Sequence, residues 1–513
     1  METKHHTFFQ GLATPMSIQQ ILGTAVAIIL AFGTYYYLNA ERPYPGIPLV
    51  LAEGGVEEAR KAFRNNAVKM IGTALKQVNG VCQIWTDGGP KILLPTKFVD
   101  EIRNNKKLSF IEILRNENLA EYRSFWPSYH PMKGNLVTDV IRTKLTQSLS
   151  KVTEALSVET ALTLDKYYPP SKDWITTEPF YPIAVDVVSR LSARVFLGEK
   201  LCRDPDWIRV SGDYTVTLFT AIQALRKYPR FLQPFMYRLG LVPEIKVLDQ
   251  LETKATKIIE EELARQEGLG PENVESNSLQ WVTSMAAQKK ITGYNPVWAQ
   301  LALTLAAIHT TSMAFTNTLF DLVAHPDLID ELRQEIMIVI GTQGWQKTSL
   351  NHLRLMDSVL KESQRLNPPD AYSMRRKVME SVTLSDGTVL PKGSHFVLPP
   401  VVLRDERLYG PDPDVYDGRR WYRMRQQPGN ETKFQYVTTT PDMHGFGHGE
   451  HACPGRFFAS NELKIALVHA IMKYDWAFEE GKNRPETVLQ VDLMMPDPTV
   501  KLRYRSRQPE IEL

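Results

Sequence analysis

The loop Phe446–Gly447–His448–Gly449–Glu450–His451–Ala452–Cys453–Pro454–Gly455 places three glycines around one cysteine, directly before a helical pattern that begins at Arg456. Glycine tolerates positive φ angles and lets the backbone approach a flat ligand closely. At a helix N-terminus, the helix dipole and free backbone N–H groups favour the thiolate form of a cysteine. The loop therefore favours the thiolate form of Cys453.

Three interpretations of Cys453 are open from this loop alone. The cysteine is a small buried apolar residue, a zinc ligand or the axial ligand of a haem iron. A zinc site would combine nitrogen and sulfur ligands that lie close together in the chain, namely His444, His448, His451 and Cys453. A haem site would use the thiolate to push electron density onto the iron, which favours O–O cleavage.

Two segments upstream of the loop carry further informative patterns. In Glu362–Ser363–Gln364–Arg365 the acid and the base are three residues apart, which puts them on one face of a helix. Trp298 to Val323 is apolar nearly all round, which is typical of a buried helix or of a second membrane span. We favour a protein core, because a lipid-facing helix would not carry so many polar residues: His309, Thr310, Thr311, Ser312, Thr316 and Asn317.

The order of these segments resembles that of the cytochrome P450 superfamily. The cysteine loop matches the haem signature F-x-x-G-x-x-x-C-x-G at Phe446, Gly449, Cys453 and Gly455. Glu362 to Arg365 is similar to the E-x-x-R motif of the family. The stretch from Pro413 to Trp421 resembles P-x-x-F-x-P-x-R-F and supplies Arg420, although it departs from that pattern at two positions, Tyr416 and Gly418.

The long apolar segment carries the remaining motif. Ala306 to Thr311 resembles the oxygen-activating motif A/G-G-x-D/E-T-T/S, with Ala307 in place of glycine and His309 in place of the acid. The resemblance implies that Thr310 donates a hydrogen bond to dioxygen and that its hydroxyl also bonds back towards the Ala306 carbonyl. The substitution at His309 leaves two roles open, a proton relay or a polar group that fills a gap in a buried helix.

The resemblance also implies the fold, the cofactor and the other site residues. We expect a mainly α-helical protein with a small β-rich region that encloses haem b, with Cys453 as the axial ligand of the iron. Arg376 matches the arginine that reaches a haem propionate, and Arg142 is a second candidate for that contact. Glu362, Arg365 and Arg420 would form a structural ion triad. The expected substrate contacts are Phe110, Ala302, Ala306, Tyr372 and Met494.

The N-terminus predicts a membrane anchor. Thr7 to Ala40 contains no formally charged residue, and residues 18–38 form an apolar stretch of membrane-spanning length. The alternatives are a cleaved signal peptide and a buried core helix, but the stretch is long for a signal sequence and a good cleavage site is absent. We therefore expect a tail over 1–17, a transmembrane anchor over 18–38, a stiff proline elbow over 39–48 and a catalytic domain over 49–513.

Composition restricts the location and the partners. The net charge of +2 excludes a strongly basic nucleic-acid binder, and three cysteines suit a reducing compartment. We expect a single-pass protein of the endoplasmic reticulum membrane whose catalytic domain faces the cytoplasm. Because the chain lacks room for a fused flavin reductase, electrons from NADPH would come through a separate membrane-bound reductase.

The predicted reaction is the insertion of one oxygen atom from O₂ into a small apolar substrate. His451, the run Cys453 to Ala459 and the run Leu108 to Phe110 resemble a fungal branch that includes oxidases of gibberellin, indole-diterpene and other terpenoid pathways. A terpenoid of secondary metabolism is therefore the expected substrate. The alternative is a haem-binding isomerase, dehydratase or sensor of the same fold, which the histidine at position 309 keeps open.

Overall fold

Helices form most of the protein, as the sequence predicts. The computed structural model describes residues 17–39, 41–51, 54–270, 275–490 and 492–513. The α-helices in these ranges are α1 Ile18–Asn39, α2 Val56–Gln77, α3 Val99–Ile102, α4 Phe110–Glu117, α5 Leu136–Val140, α6 Thr146–Tyr167, α7 Phe180–Phe196, α8 Glu199–Cys202, α9 Pro205–Arg226, α10 Gln233–Arg238, α11 Pro243–Glu267, α12 Ser278–Gln288, α13 Pro296–Val323, α14 Pro326–Gln343, α15 Lys347–His352, α16 Arg354–Leu366, α17 Glu406–Tyr409, α18 Arg420–Arg425 and α19 Arg456–Lys473.

The β structure is small, which also agrees with the prediction. The strands are β1 Leu49–Val50, β2 Cys82–Thr86, β3 Gly89–Leu93, β4 Leu108–Ser109, β5 Ile175–Thr176, β6 Ser373–Val378, β7 Val382–Thr383, β8 Val389–Leu390, β9 His395–Leu398, β10 Tyr474–Phe478, β11 Thr487–Gln490, β12 Leu493–Pro496 and β13 Leu502–Ser506. A mixed sheet has the order β1-β2-β3-β9-β6-β4, and a second sheet has the order β10-β13-β5. The pairs β7–β8 and β11–β12 are separate hairpins.

Helix α13 runs through the centre of the protein. It contacts α7, α9, α16 and α19, and most of its side chains are buried, so the prediction of a protein core is confirmed. The side chain of Asn295 caps its first turn by accepting a hydrogen bond from the Trp298 N–H at 3.0 Å. Buried polar groups turn back onto the helix itself: the Ser312 hydroxyl donates to the Ile308 carbonyl at 2.8 Å.

A helix, α1, occupies the segment in which the sequence predicts a transmembrane anchor over 18–38. Across the described ranges, no helix combines the length and the apolarity that a membrane crossing needs. The structure therefore gives no support to the transmembrane interpretation of this segment. Residues 1–16 of the predicted tail and residue 40 of the predicted elbow lie outside the described residues.

The described part of the proline elbow is attached to the first sheet. The Gln83 side chain on β2 accepts a hydrogen bond from the Tyr44 N–H and donates to the carbonyls of Tyr44 and Ile47, each at 2.8 Å. The Tyr44 hydroxyl accepts a hydrogen bond from the His395 N–H at 3.1 Å. These bonds fix the start of the catalytic body relative to the strands that carry part of the site.

Candidate active site

The cysteine loop folds tightly before α19. The Cys453 N–H donates to the Phe446 carbonyl at 2.7 Å, which closes the loop. Gly447 and Gly449 have φ angles of 67° and 77°, where side chains are disfavoured. A Cβ atom at Gly449 would also lie 2.7 Å from the Arg103 side chain. Gly449 therefore acts by shaping the loop against its neighbour.

The thiol of Cys453 faces a large cavity at the start of α19. The cavity has a volume of about 1370 Å³, and Phe446, Gly447 and Gly455 line it beside the cysteine. Gly449 is not among the lining residues, whereas Gly447 is, which the signature alone does not reveal. Burial raises the pKa of the Cys453 thiol, while the backbone N–H groups of Gly455 and Arg456 and the Arg456 guanidinium lower it.

Helix α13 forms the opposite part of the cavity lining. Ala302, Ala306 and Thr310 line the cavity, and Phe110 from α4 does so too. The Thr310 hydroxyl donates to the Ala306 carbonyl at 2.9 Å, the contact that the resemblance implies. One cavity thus brings the cysteine and the threonine together although about 140 residues separate them in the chain.

Two of the expected substrate contacts need comment. Tyr372 lines the cavity, but its hydroxyl donates to Asp492 and accepts from Lys91, so it is already engaged. Met494 does not line the cavity, although Leu493 and Met495 on the same strand do. Successive residues of a strand point to opposite faces, so Leu493 and Met495 face the cavity in this structure and Met494 does not.

Arg376 is a buried cation that forms no salt bridge in the described part of the chain. It is 3% exposed, its Nη1 donates to the Arg375 carbonyl at 2.7 Å, and its guanidinium lies 5.4 Å from the ring centre of Phe110. Burial and the charge of Arg375 lower the pKa of Arg376, Glu450 raises it, and the pKa is about 10. His451 also lines the cavity and has a ring nitrogen that can donate a hydrogen bond. Its ring centre lies 5.8 Å from that of Phe110.

These features fit a haem group. A buried guanidinium in the cavity wall needs an anion, and a haem propionate supplies one. The thiol in the same wall supplies the axial ligand. Arg142, the second candidate for the propionate, is exposed, does not line the cavity and donates to the Glu450 carbonyl. The structure therefore favours Arg376 over Arg142 for this contact.

The histidines that could have formed a zinc site have other partners. The His444 ring is 2.7 Å from the Ser373 hydroxyl, and the two nitrogens of His448 each lie 3.0 Å from a partner, Arg103 or Thr439. Within the described ranges, no three His, Cys, Asp or Glu side chains come close enough to hold a metal ion. The structure therefore contradicts the zinc interpretation for the described residues.

His309 is held on both sides by neighbouring helices. Its Nε2 is 2.9 Å from the Gly212 carbonyl on α9, and its Nδ1 is 3.0 Å from the Tyr181 hydroxyl on α7. A carbonyl only accepts, so Nε2 carries the proton and Nδ1 accepts from tyrosine. Burial lowers the pKa of His309, although the Gly212 carbonyl and Asp213 raise it. These contacts favour the packing role for the ring over the relay.

The expected ion triad is present as a group of three paired side chains, Glu362, Arg365 and Arg420. Glu362 and Arg365 are fully buried and pair at 2.7 Å, and the Arg420 Nε donates to Glu362 at 3.1 Å. Arg365 also donates to the carbonyls of Leu403 and Pro413. The group connects α16 to the two loops that precede the cysteine loop.

Comparison with known proteins identifies the family. The cytochrome P450 family model matches residues 186–504. The cytochrome P450 monooxygenase ntnM of a Nectria species is 37% identical over 471 residues, which cover 90% of this chain and 89% of the relative. The cytochrome P450 monooxygenase adrA of Penicillium rubens is 36% identical over 502 residues, with 95% and 96% covered. Cytochrome P450 monooxygenase 1 of Gibberella fujikuroi is 39% identical over 448 residues, with 84% and 98% covered.

Each of these relatives is named a monooxygenase, so the alternative of a haem isomerase, dehydratase or sensor finds no support. The matches extend over most of the chain and include the cysteine loop and α13. The chain belongs to the cytochrome P450 family and is a haem-thiolate monooxygenase that receives its electrons from a reductase.

Proposed function

We propose that this monooxygenase oxygenates a bulky apolar molecule, a terpenoid of fungal secondary metabolism. The observation that carries the proposal is the cavity shared by Cys453 and Thr310. Its volume of about 1370 Å³ exceeds the roughly 300–1,000 Å³ of ordinary small-molecule pockets. The space therefore accommodates a large substrate as well as the haem.

The lining near the cysteine supports an apolar substrate. Phe110, Ala302 and Ala306 contribute hydrocarbon surface and no side-chain hydrogen-bonding group. The choice of a terpenoid rests on the resemblance of the segment from Cys453 to Ala459 to the gibberellin and indole-diterpene oxidases. The three relatives described above are fungal monooxygenases, which agrees with this choice.

Each part of the site has a separate task in this reaction. Haem bound through Cys453 supplies the activation of dioxygen. Thr310 holds a hydroxyl proton at the cavity surface, bonded to the Ala306 carbonyl, from which rotation of the hydroxyl would present it to the reacting oxygen. Arg376 supplies the positive charge that binds a propionate, and the apolar lining keeps bulk water away from the reacting carbon.

We further infer that the protein works at the endoplasmic reticulum membrane, with its catalytic body on the cytoplasmic side and a membrane-bound NADPH-dependent reductase as its partner. Exposed apolar side chains along α1, among them Ile18, Leu22 and Leu30, support membrane association. The three cysteines of the chain suit the reducing cytoplasm.

Substrate trials in membranes test the proposal. Microsomes that contain the full chain and a reductase would receive NADPH, ¹⁸O₂ and a panel of sesquiterpenes, diterpenes and small polar carboxylic acids. We expect terpenoids to give the spectral shift that accompanies substrate binding near haem iron and products that contain ¹⁸O. Membranes with Cys453→Ala would give neither. Shifts given only by the small polar acids would contradict the proposal.

A further inference from the structure

A charged cluster lines the same cavity as the haem ligand. Lys91 on β3 and Arg375 on β6 both pair with Glu117 at the end of α4, at 2.5 Å and 3.1 Å. The two pairs use different oxygens of Glu117, so each oxygen of this carboxylate is paired with one cation. All three residues line the cavity. This part of the wall is therefore polar, in contrast to the apolar wall beside Cys453.

Two more carboxylates extend the cluster. Arg375 also pairs with Asp370 at 3.1 Å, and the Tyr372 hydroxyl donates to Asp492. Lys91 donates to the Tyr372 oxygen at 2.9 Å, which links Lys91 to Asp492 through the tyrosine hydroxyl. The described cluster therefore contains two cations and three carboxylates, Glu117, Asp370 and Asp492. It holds more hydrogen-bond acceptors than its own donors satisfy.

Two members of the cluster have acceptor capacity left over, Asp370 and Asp492. Among the described residues, the Asp492 carboxylate accepts only from Tyr372, whereas the Asp370 carboxylate accepts only from Arg375, through Oδ2, and its Oδ1 accepts no hydrogen bond. Asp370 lines the cavity and is half-buried, which leaves this oxygen within reach of a bound molecule. Burial is the main cause that raises the pKa of Asp370; Arg375 lowers it, Asp492 and Glu117 raise it, and the pKa is about 6. A hydrogen bond donated by a ligand would stabilise the ionised form of this carboxylate.

We propose that Asp370 accepts a hydrogen bond from a hydroxyl group of an otherwise apolar substrate and so fixes which end of the molecule points away from the haem. This inference rests on the proposed function and narrows it to substrates that already carry a hydroxyl. A pure hydrocarbon would leave the acceptor unsatisfied, and a carboxylate would be repelled by the excess negative charge. The reaction that supplies the substrate is therefore one that installs or frees a hydroxyl group: a hydration, an earlier oxygenation, the hydrolysis of a phosphate ester or the reduction of a carbonyl.

Matched pairs of probes test the inference by spectral titration of the full-length holoenzyme in membranes. The pairs are abietadienol with abietadiene, farnesol with farnesene, and 1-dodecanol with dodecane as a non-terpenoid pair. We expect the alcohol of at least one terpenoid pair to bind about tenfold more tightly than its hydrocarbon, the effect of one hydrogen bond to a charged group. Asp370→Leu should abolish this ratio.

Two variants control for indirect effects. Asp370→Asn keeps the shape but loses the charge, so it should retain only part of the ratio. Asp321→Asn removes another buried carboxylate with a raised pKa and an arginine partner, Arg484, but Asp321 does not line the cavity. It should leave the ratio unchanged. The spectrum of the reduced CO complex identifies any variant that has lost its haem or its fold.

The pH dependence gives an independent measurement. The carboxylate form of Asp370 is the acceptor, so the preference for the alcohol should fall as the pH drops through about 6, where the group becomes protonated. The charged groups that face it are Arg375, Glu117 and Asp492. In Asp370→Asn the ratio should not vary over this pH range, which separates Asp370 from its neighbours.

Each outcome decides between the two proposals. Equal binding of terpenoid alcohol and hydrocarbon, or a ratio that survives in Asp370→Leu, would overturn the role of Asp370 and leave the terpenoid proposal standing. A ratio that depends on Asp370 but appears only with dodecanol and dodecane would support the acceptor and overturn the terpenoid. The absence of a spectral shift with every pair would overturn both.

Discussion

Thr310 lies on α13 with its hydroxyl at the cavity surface, bonded to the Ala306 carbonyl. In the proposed reaction, removing this hydroxyl would delete one hydrogen bond to the reacting oxygen without changing the cysteine loop. We expect Thr310→Ala to keep the spectrum of the reduced CO complex while product formed per NADPH falls about 10- to 100-fold and peroxide rises. Thr310→Ser, which keeps the hydroxyl, is the control and should stay within a few-fold of the parent. Full coupling in Thr310→Ala would refute the role.

Both nitrogens of the His309 ring form hydrogen bonds. A packing role and a proton-relay role for this ring therefore predict opposite effects of substitution. A glutamine at this position retains an N–H that donates to the Gly212 carbonyl, whereas a glutamate places a second acceptor against it. We expect His309→Gln to keep most of the product per NADPH and His309→Glu to lose haem-loaded protein and activity. A glutamate variant that couples better than the glutamine variant would instead support proton relay at this position.

At single positions, the sequence indicates which residues belong to the site better than it indicates which residues they contact. The glycines around Cys453 predicted a tight loop, but only the folded loop shows that Gly447 faces the cavity while Gly449 packs on Arg103. The sequence does not show that Leu493 and Met495, and not Met494, face the cavity, because a strand register cannot be read from one short segment. The partners of His309 come from α7 and α9, and no local pattern indicates them.

At the scale of helices, the buried pair of Glu362 and Arg365 is one of the contacts that join α16 to the segments before the cysteine loop. Neutralising Glu362 would leave Arg365 as a buried charge without its carboxylate, which costs about 3–5 kcal/mol. We expect Glu362→Gln to reduce the yield of protein with a normal CO spectrum and to lower the urea concentration at which the haem is released.

The matched control for this prediction is Glu331→Gln. Glu331 also pairs with an arginine, Arg419, but both side chains are partly exposed. Pairs of this kind contribute about 0–1 kcal/mol, so the control should unfold close to the parent protein. If the two variants lost the same amount of stability, the buried triad would not be a special support of the fold.

The sequence predicts long elements that have a clear hydrophobic pattern. It does not predict groups of residues that lie far apart in the chain and meet only in the fold. Helix α13 is apolar nearly all round over more than 20 residues, and it was found within two residues of its predicted start. The charged cluster in the cavity wall combines residues near positions 91, 117, 370 and 492. None of these has a local signature, because the cluster exists only after β3, β6 and α4 have packed together.

At the scale of the whole molecule, α1 differs from the catalytic body in what it exposes. Its apolar residues Ile18, Ile21, Leu22, Val26 and Leu30 are 54–77% exposed. Exposed apolar surface of this extent favours contact with a membrane or with another protein. The elbow that follows is fixed to β2 through Gln83, so the body should keep its structure when α1 is removed.

We therefore expect deletion of residues 1–39 to move much of the chain from the membrane pellet to the soluble fraction without changing the CO spectrum. A full-length chain with Leu22→Glu and Val26→Glu should shift in the same direction, since charged groups on the apolar helix disfavour contact with lipid. Density-gradient fractions of cells would show whether the parent chain follows markers of the endoplasmic reticulum. If the truncated chain stayed with the membrane after a high-salt wash, the membrane contact would lie on the catalytic body. If the full-length parent chain were already soluble, membrane association would be refuted.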